Sequence, residues 1–336
     1  MTNPHSRLFD FHGCVLEFSS GDCGLLDWIA DDFSAFPSAP GASPDILITA
    51  STLSTSRQNL PRTLLRTDKW HILSAPEGRR AVWYPEGALC EYDYRTRRGL
   101  ISSADRDLLK ELSYLLILSR VGEALDQRGL HRLHAGALGF GGRALLFCGA
   151  QGAGKTTLLM ELLKDSCFNL LSDDTPLISR DGTVHHFPSR IGLGEDSPHL
   201  LTFPQLRSFK RRHYAPKRLL DMGRSGLIVS PPLPPAFIFK LSRGERPAFR
   251  RPAAGEAAWE LARSLVAGCG VPQMAEYFLR LSPSDLANKA AILASRVKAA
   301  RALMAKTSFR IFEAGPDQAS NAAVLRAFLR NNSVPA

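Results

Sequence analysis

Eight consecutive residues, Gly149-Ala150-Gln151-Gly152-Ala153-Gly154-Lys155-Thr156, carry the spacing G-x-x-x-x-G-K-[ST]. The chemistry that asks for this spacing is the cradling of a polyphosphate. Glycines let backbone amides come close to phosphate oxygens, and a helix opening just after them adds unpaired N–H groups and a positive dipole end. Lys155 is expected to reach the β- and γ-phosphates, and the Thr156 hydroxyl to sit on magnesium. Gly149, Gln151, Gly152, Ala153, Gly154, Lys155, Thr156 and Thr157 are therefore the expected contacts of a nucleotide, with ATP and Mg2+ the expected cofactors. The pattern arises by composition alone about once in a hundred chains of this length. The plain alternative is a glycine-rich turn that happens to carry Lys and Thr.

A second chemical signal is Asp173-Asp174, which closes the apolar run Phe168-Asn169-Leu170-Leu171-Ser172. A strand ending in acids presents a carboxylate to magnesium or to an attacking hydroxyl. Adjacent carboxylates repel, which suits one of them to act as a base. An Asx turn before Pro176 is the competing reading. His134, upstream of the glycines, would alone be read as a hydrogen-bonded core histidine. The pair His185-His186 has no Cys or carboxylate at ligand spacing and is not read as a metal site. The basic segment Arg207, Lys210, Arg211, Arg212, Lys217, Arg218 and Arg224 reads as a solvated face, or as a grip on a triphosphate or an acidic acceptor.

Positioning these residues requires a strand before the glycines and a helix after them. Ala144–Cys148 is a short apolar run that reads as a buried parallel strand, and Thr157–Lys164 contains good helix formers without Gly or Pro. Leu133–Phe140 reads as one strand carrying His134, turned at Gly141-Gly142 into Ala144. Asp105–Gln127 is the clearest long helix, capped by Ser103 or Asp105 and ended by Gly129. Further on, a strand at Ala236–Leu241, helices at Gly255–Ala267 and from Ser282-Pro283 to Lys306, a strand at Phe309–Phe312 and a helix at Asn321–Leu329 are expected. Before residue 105, a first strand through Phe9, Phe11, Val15 and Phe18, a helix at Leu25–Phe33 and several β-rich runs make a smaller α/β unit. The expected fold is α/β: residues 1–104 a docking or oligomerisation domain, residues 105–336 a nucleotide-binding kinase core.

His134, the glycine-rich loop and a strand ending Asp173-Asp174, in that order, resemble the HPr kinase/phosphorylase superfamily, and in particular its HPr-kinase-related serine kinases, some of which act on ribosomal peptide precursors. The resemblance covers Leu130–Leu193. It implies that Lys155 and Thr156 bind phosphate and magnesium, and that Asp173 and Asp174 supply the base for an acceptor serine and help hold the metal. Asp173 is preferred as base, with Asp174 or His134 tuning it. The family's Glu-Ile-Arg-Gly-type segment is missing. Glu195, in Ile191-Gly192-Leu193-Gly194-Glu195, stands at about its position and is the implied third metal residue. Without that segment the family's reverse phosphorolysis is not carried over. Relatives often form homo-oligomers.

Length and composition set the frame. At 336 residues the chain has room for two domains, and 44% apolar with 22% charged residues describes an ordinary globular protein. Its six cysteines have no ligand spacing and read as reduced core thiols of a cytoplasmic protein. The start, Met1-Thr2-Asn3-Pro4-His5, has no signal-peptide pattern, and no apolar run is long enough to cross a membrane. A net charge of +10 favours acidic partners, but no nucleic-acid motif accompanies it. The expected activity is transfer of the ATP γ-phosphate to a serine hydroxyl of a protein or peptide. An accessory ATPase that switches a partner, or a kinase of a small molecule, is the alternative.

Overall fold

The computed structural model describes residues 5–54, 60–203, 205–272, 274–278, 280 and 282–332, so the first four residues lie outside it. It is a mixed α/β chain of two compact units. The first comprises Met1–Leu125, Ser208–Lys217 and Pro272–Ser282; the second comprises Asp126–Arg207, Arg218–Val271 and Pro283–Ala336. Where a boundary at 104/105 was expected, the first unit runs on through Leu125 and takes in two later segments.

The first unit contains β1 (His5–Phe11), β2 (Cys14–Ser20), α1 (Cys23–Asp32), β3 (Ile46–Ser51), β4 (Thr63–Arg66), β5 (His71–Leu73), β6 (Arg79–Tyr84), β7 (Ala88–Asp93) and β8 (Arg98–Ser103). The eight strands form one sheet in the order β1-β2-β3-β8-β7-β6-β5-β4. The single first strand expected from Phe9 to Phe18 is a hairpin, because His12 (φ 54°) and Gly13 (φ 81°) turn the chain between them. Alternate residues of β2 are buried, which is the period of a strand with one covered face. Leu26 and Ile29 of α1 are buried with Phe11, Leu16 and Phe18. Next comes α2 (Arg106–Gln127), capped by Asp105, whose carboxylate accepts from the Asp107 and Leu108 amides. Leu116 of α2 lies so close over Gly99 that a Cβ there would sit 3.2 Å from its Cδ2.

The second unit contains β9 (Leu130–Arg132), β10 (Gly136–Phe140), β11 (Arg143–Cys148), α3 (Lys155–Leu162), β12 (Phe168–Ser172), β13 (Leu177–Ser179), β14 (Val184–His185) and β15 (Ile191–Leu193). Then come β16 (Arg207–Phe209) and β17 (Lys217–Leu220), which straddle the unit boundary, α4 (Met222–Ser225), β18 (Pro235–Arg243), β19 (Ala248–Arg250) and α5 (Glu256–Leu261). The short α6 (Ala275–Phe278) belongs to the first unit; α7 (Pro283–Lys306), β20 (Ser308–Ala314) and α8 (Gln318–Asn331) complete the second. Its main sheet has the order β12-β10-β11-β18-β20-β19.

Strand direction in this sheet decides where a site can form. β10 runs antiparallel to both β11 and β12, while β18 is parallel to β11 and β20 to β18. So β11, β12, β18 and β20 all end at the same edge, the edge at which open α/β sheets bind ligands. The Gly141-Gly142 turn joins β10 to β11, with both glycines at positive φ. β11 is covered on both faces. Ala144, Leu146 and Cys148 pack with Leu261, Leu265 and Leu303, while Phe147 stacks on Phe239, which meets Phe328 of α8. That two-sided cover explains the unbroken apolar run; its neighbours are one parallel and one antiparallel strand, not two parallel ones.

Two expected elements come out divided. Leu133–Phe140 is not one strand: β9 and β10 lie in different sheets, and His134 sits in the break between them. There the Leu133, His134 and Ala135 amides donate to Pro176, Ser264 and Asp174 carbonyls, so the backbone leaves one ladder before joining the next. Gly255–Ala267 is helical only through α5, then loosens into a π-helical turn at Ala262–Val266.

Candidate functional site

The loop between β11 and α3 depends on three glycines. Gly149, Gly152 and Gly154 have φ of 145°, 78° and 89°, conformations that other residues adopt only under strain. Gly149 is also hemmed in, since a Cβ there would lie 2.9 Å from the Leu241 carbonyl oxygen. Lys155 is buried, and its ammonium donates to the Gly149 carbonyl at 2.9 Å and the Ala150 carbonyl at 3.3 Å. Those bonds fold it back over the loop and use two of its three donors. Arg243, at the end of β18, donates to the Gly152 carbonyl at 2.9 Å.

At the end of β12, Ser172 organises the turn that carries the acids. Its hydroxyl donates to the Phe187 carbonyl at 3.0 Å and accepts from the Thr175 amide at 3.1 Å. Asp173 and Asp174 are both half-buried. Gly136 ties this turn to α3: a Cβ there would meet Leu159 at 2.7 Å and the Asp173 carbonyl at 3.2 Å. His134 closes on the same turn, with its Nδ1 3.2 Å from Asp174 Oδ1. Gly270 (φ 88°) lies flat on the His134 ring, where a Cβ would come within 2.5 Å. The structure thus gathers His134, Asp173, Asp174 and Leu159 of α3 around the first residues of β10.

Beside the first turn of α3 lies a cavity of about 320 Å3, lined by Thr156, Thr157, the stretch from Gly192 to Pro198 apart from Glu195, and Pro316 and Gln318. Glu195 is exposed, and its neighbours Gly194 and Asp196 face the cavity instead. His199 fixes this stretch to α3 by donating from Nε2 to the Thr157 carbonyl at 3.2 Å. Burial, and then the Lys164 ammonium, hold the His199 imidazole below its ordinary pKa.

Among the described residues, no three His, Cys, Asp or Glu side chains gather as a metal site. Magnesium needs no such cage, because it keeps waters and takes phosphate oxygens alongside one or two protein ligands. The hydroxyl of Thr156 and a half-buried carboxylate fit that donor set.

Part of the basic segment serves the fold. Arg207 forks onto the buried Asp221 carboxylate with Nε 2.9 Å from both oxygens. Arg211 donates to the Ala215 carbonyl at 2.8 Å, and Arg212 lies over the Tyr84 ring near Glu86 and Glu111. Cys14, Cys90 and Cys148 are core thiols, whereas Cys23 and Cys269 are exposed. Burial pushes the Cys148 thiol up to about 12, so the sulfur at the foot of the loop is no nucleophile.

The sequence pattern found the loop and the two acids because each is contiguous. It missed Arg243, His199, Asp196 and Gln318, which arrive from distant segments. Gly136 and Gly270 mark close approaches to Leu159 and to His134, so they signal the turn with the acids and not these four residues. The chain matches no family model and no curated protein. No helix among the described residues is long and apolar enough to cross a membrane.

Proposed function

We propose that this chain is an ATP-dependent kinase, with a P-loop core of HPr-kinase type, that transfers the γ-phosphate to a serine hydroxyl of a protein or peptide. One observation carries the reading: the glycine-rich loop and the Asp173-Asp174 turn leave strands that end at the same edge, with His134 3.2 Å from Asp174. Phosphoryl transfer asks the protein mainly for positioning and charge neutralisation. The loop amides and the first turn of α3 hold the phosphates, and the Lys155 ammonium exchanges its loop carbonyls for phosphate oxygens. Magnesium, held by Thr156 and Asp174, would supply further positive charge along the phosphate chain. Asp173 accepts the proton of the attacking hydroxyl. His134 steadies Asp174 beside it.

The test is incubation of the full chain with magnesium and γ-labelled ATP, together with serine-containing peptides and proteins. Label on a polypeptide serine supports the proposal. Label on a small molecule, or only free phosphate released when a partner is added, overturns it in favour of the corresponding alternative.

A further inference from the structure

We propose that the cavity beside α3 takes the base and ribose of the nucleotide, and that Gln318 makes the site select adenine over guanine. This rests on the reading of the loop as a phosphate cradle. The position follows from topology. Thr156 and Thr157 open the helix that follows the loop, and they form one wall; Pro316, in the bend after β20, and Gln318, the first residue of α8, form another. Phosphates on the loop leave the rest of a nucleotide to extend along this edge, and the cavity offers space there. Its volume of about 320 Å3 lies within the span of small-ligand pockets, about 300–1,000 Å3.

Charge says what the cavity accepts. Among the described residues its lining has hydroxyls, an amide, prolines and one carboxylate, Asp196, but no Lys or Arg. A further phosphate is disfavoured there, whereas a neutral heterocycle and a sugar diol are suited. A carboxylate such as Asp196 recognises ribose hydroxyls in other nucleotide folds.

Selectivity follows from the Gln318 amide. One donor and one acceptor side by side match the N6 amino group and N7 of adenine. Guanine presents two acceptors, O6 and N7, along the same edge, so one meets the amide oxygen without a proton between them. Gln318 is positioned without being used up. Its Nε2 is 3.5 Å from the Pro316 carbonyl, and its Oε1 is 3.3 Å from Asn321 Nδ2, both at the long limit of hydrogen bonding. Asn321 is fully buried and holds the bend itself: Oδ1 accepts from the Gly315 amide at 2.8 Å and Nδ2 donates to the Gly315 carbonyl at 2.9 Å. The wall that carries Gln318 is therefore fixed before a ligand arrives, which lowers the ordering cost of binding.

The experiment is calorimetric titration of the full chain with ATP, GTP and inorganic tripolyphosphate, each with magnesium. The expected order is ATP tightest, GTP weaker by about tenfold, as one matched pair of hydrogen bonds gives. Gln318→Leu should bring ATP and GTP within about threefold of each other while tripolyphosphate is unchanged. Ser197→Tyr, which fills the cavity from a loop, should lower ATP to the affinity of tripolyphosphate. If tripolyphosphate binds but ATP binds no better, or if both variants leave the ATP-to-GTP ratio as it was, the inference falls and the phosphate cradle stands. If neither ATP nor tripolyphosphate binds the unaltered chain, the cradle itself fails and takes the inference with it.

Discussion

Gly270 holds the His134 ring in place by having no side chain. In Gly270→Ala the new methyl would sit 2.5 Å from the imidazole at a φ of 88°, so the ring must move off Asp174. Misplacement of this size near reacting groups costs roughly tenfold or more in rate. Phosphate transfer should fall by that much while ATP affinity, measured by calorimetry, holds; unchanged transfer would remove His134 from the mechanism. Lys155→Ala should abolish nucleotide binding. Asp173→Asn should keep binding and lose transfer, and normal transfer by that variant would mean the base is elsewhere. His199 gives the site a pH dependence. Its pKa is depressed in the fold, so the neutral form is the favoured one. The stability it contributes is complete above the unfolded value of about 6.5 and is lost as pH falls through the folded value. Thermal melts should therefore drop in Tm on going from about pH 7.5 to about pH 5.5, and His199→Gln should flatten that slope. Lys155 was legible because its whole context is contiguous, whereas Gly270 and His199 meaningfully join the site only through folding.

At the scale of elements, the end of α2, β9 and α7 are tied by a polar network that is buried at His131 and Asp126 and opens to solvent at Arg180. His131 Nδ1 lies 2.8 Å from Asp126 Oδ1, and its Nε2 lies 2.8 Å from the Ser295 hydroxyl. Arg296 donates to both Asp126 oxygens, at 3.1 and 2.6 Å, and Arg180 donates to Ser295 at 2.9 Å. Burial raises the Asp126 pKa, but the bonds from His131 and Arg296 outweigh it and hold the carboxyl low. Asp126→Ala leaves the largely covered Arg296 guanidinium, and the buried His131 ring, without their carboxylate, which costs about 3 kcal/mol. Urea denaturation of the two chains should show that loss, and a shift within about 0.5 kcal/mol would mark the network as dispensable. Long helices and the Gly141-Gly142 hairpin were readable because periodicity and turn chemistry agree there. The β1–β2 turn was hidden because His12 gives no warning of a positive φ. Strands β13 to β17 were hidden too, because two to four residues each are too short to show a period.

For the molecule as a whole, the first unit is discontinuous in sequence. Inside it, the Tyr84 hydroxyl donates to the buried Glu276 carboxylate at 2.6 Å, and the Arg212 amide donates to Glu111 at 3.0 Å. A fragment ending at residue 104 lacks α2 and both later segments, which uncovers the sheet at Gly99 and strands Tyr84. Such a fragment should unfold in urea without a cooperative transition; a sharp transition like that of the full chain would show that the segments are not needed. The cut looked natural in the sequence because composition changes where α2 begins, and nothing in residues 208–217 or 272–282 announces the unit they join. Ribosomes release the chain from its N-terminus at about 5–20 residues per second, so Pro272–Ser282 emerges on the order of ten seconds after Leu125. For that interval the nascent eight-stranded sheet lacks part of its cover, and holdase chaperones should be found on translating ribosomes until Ser282 has cleared the tunnel.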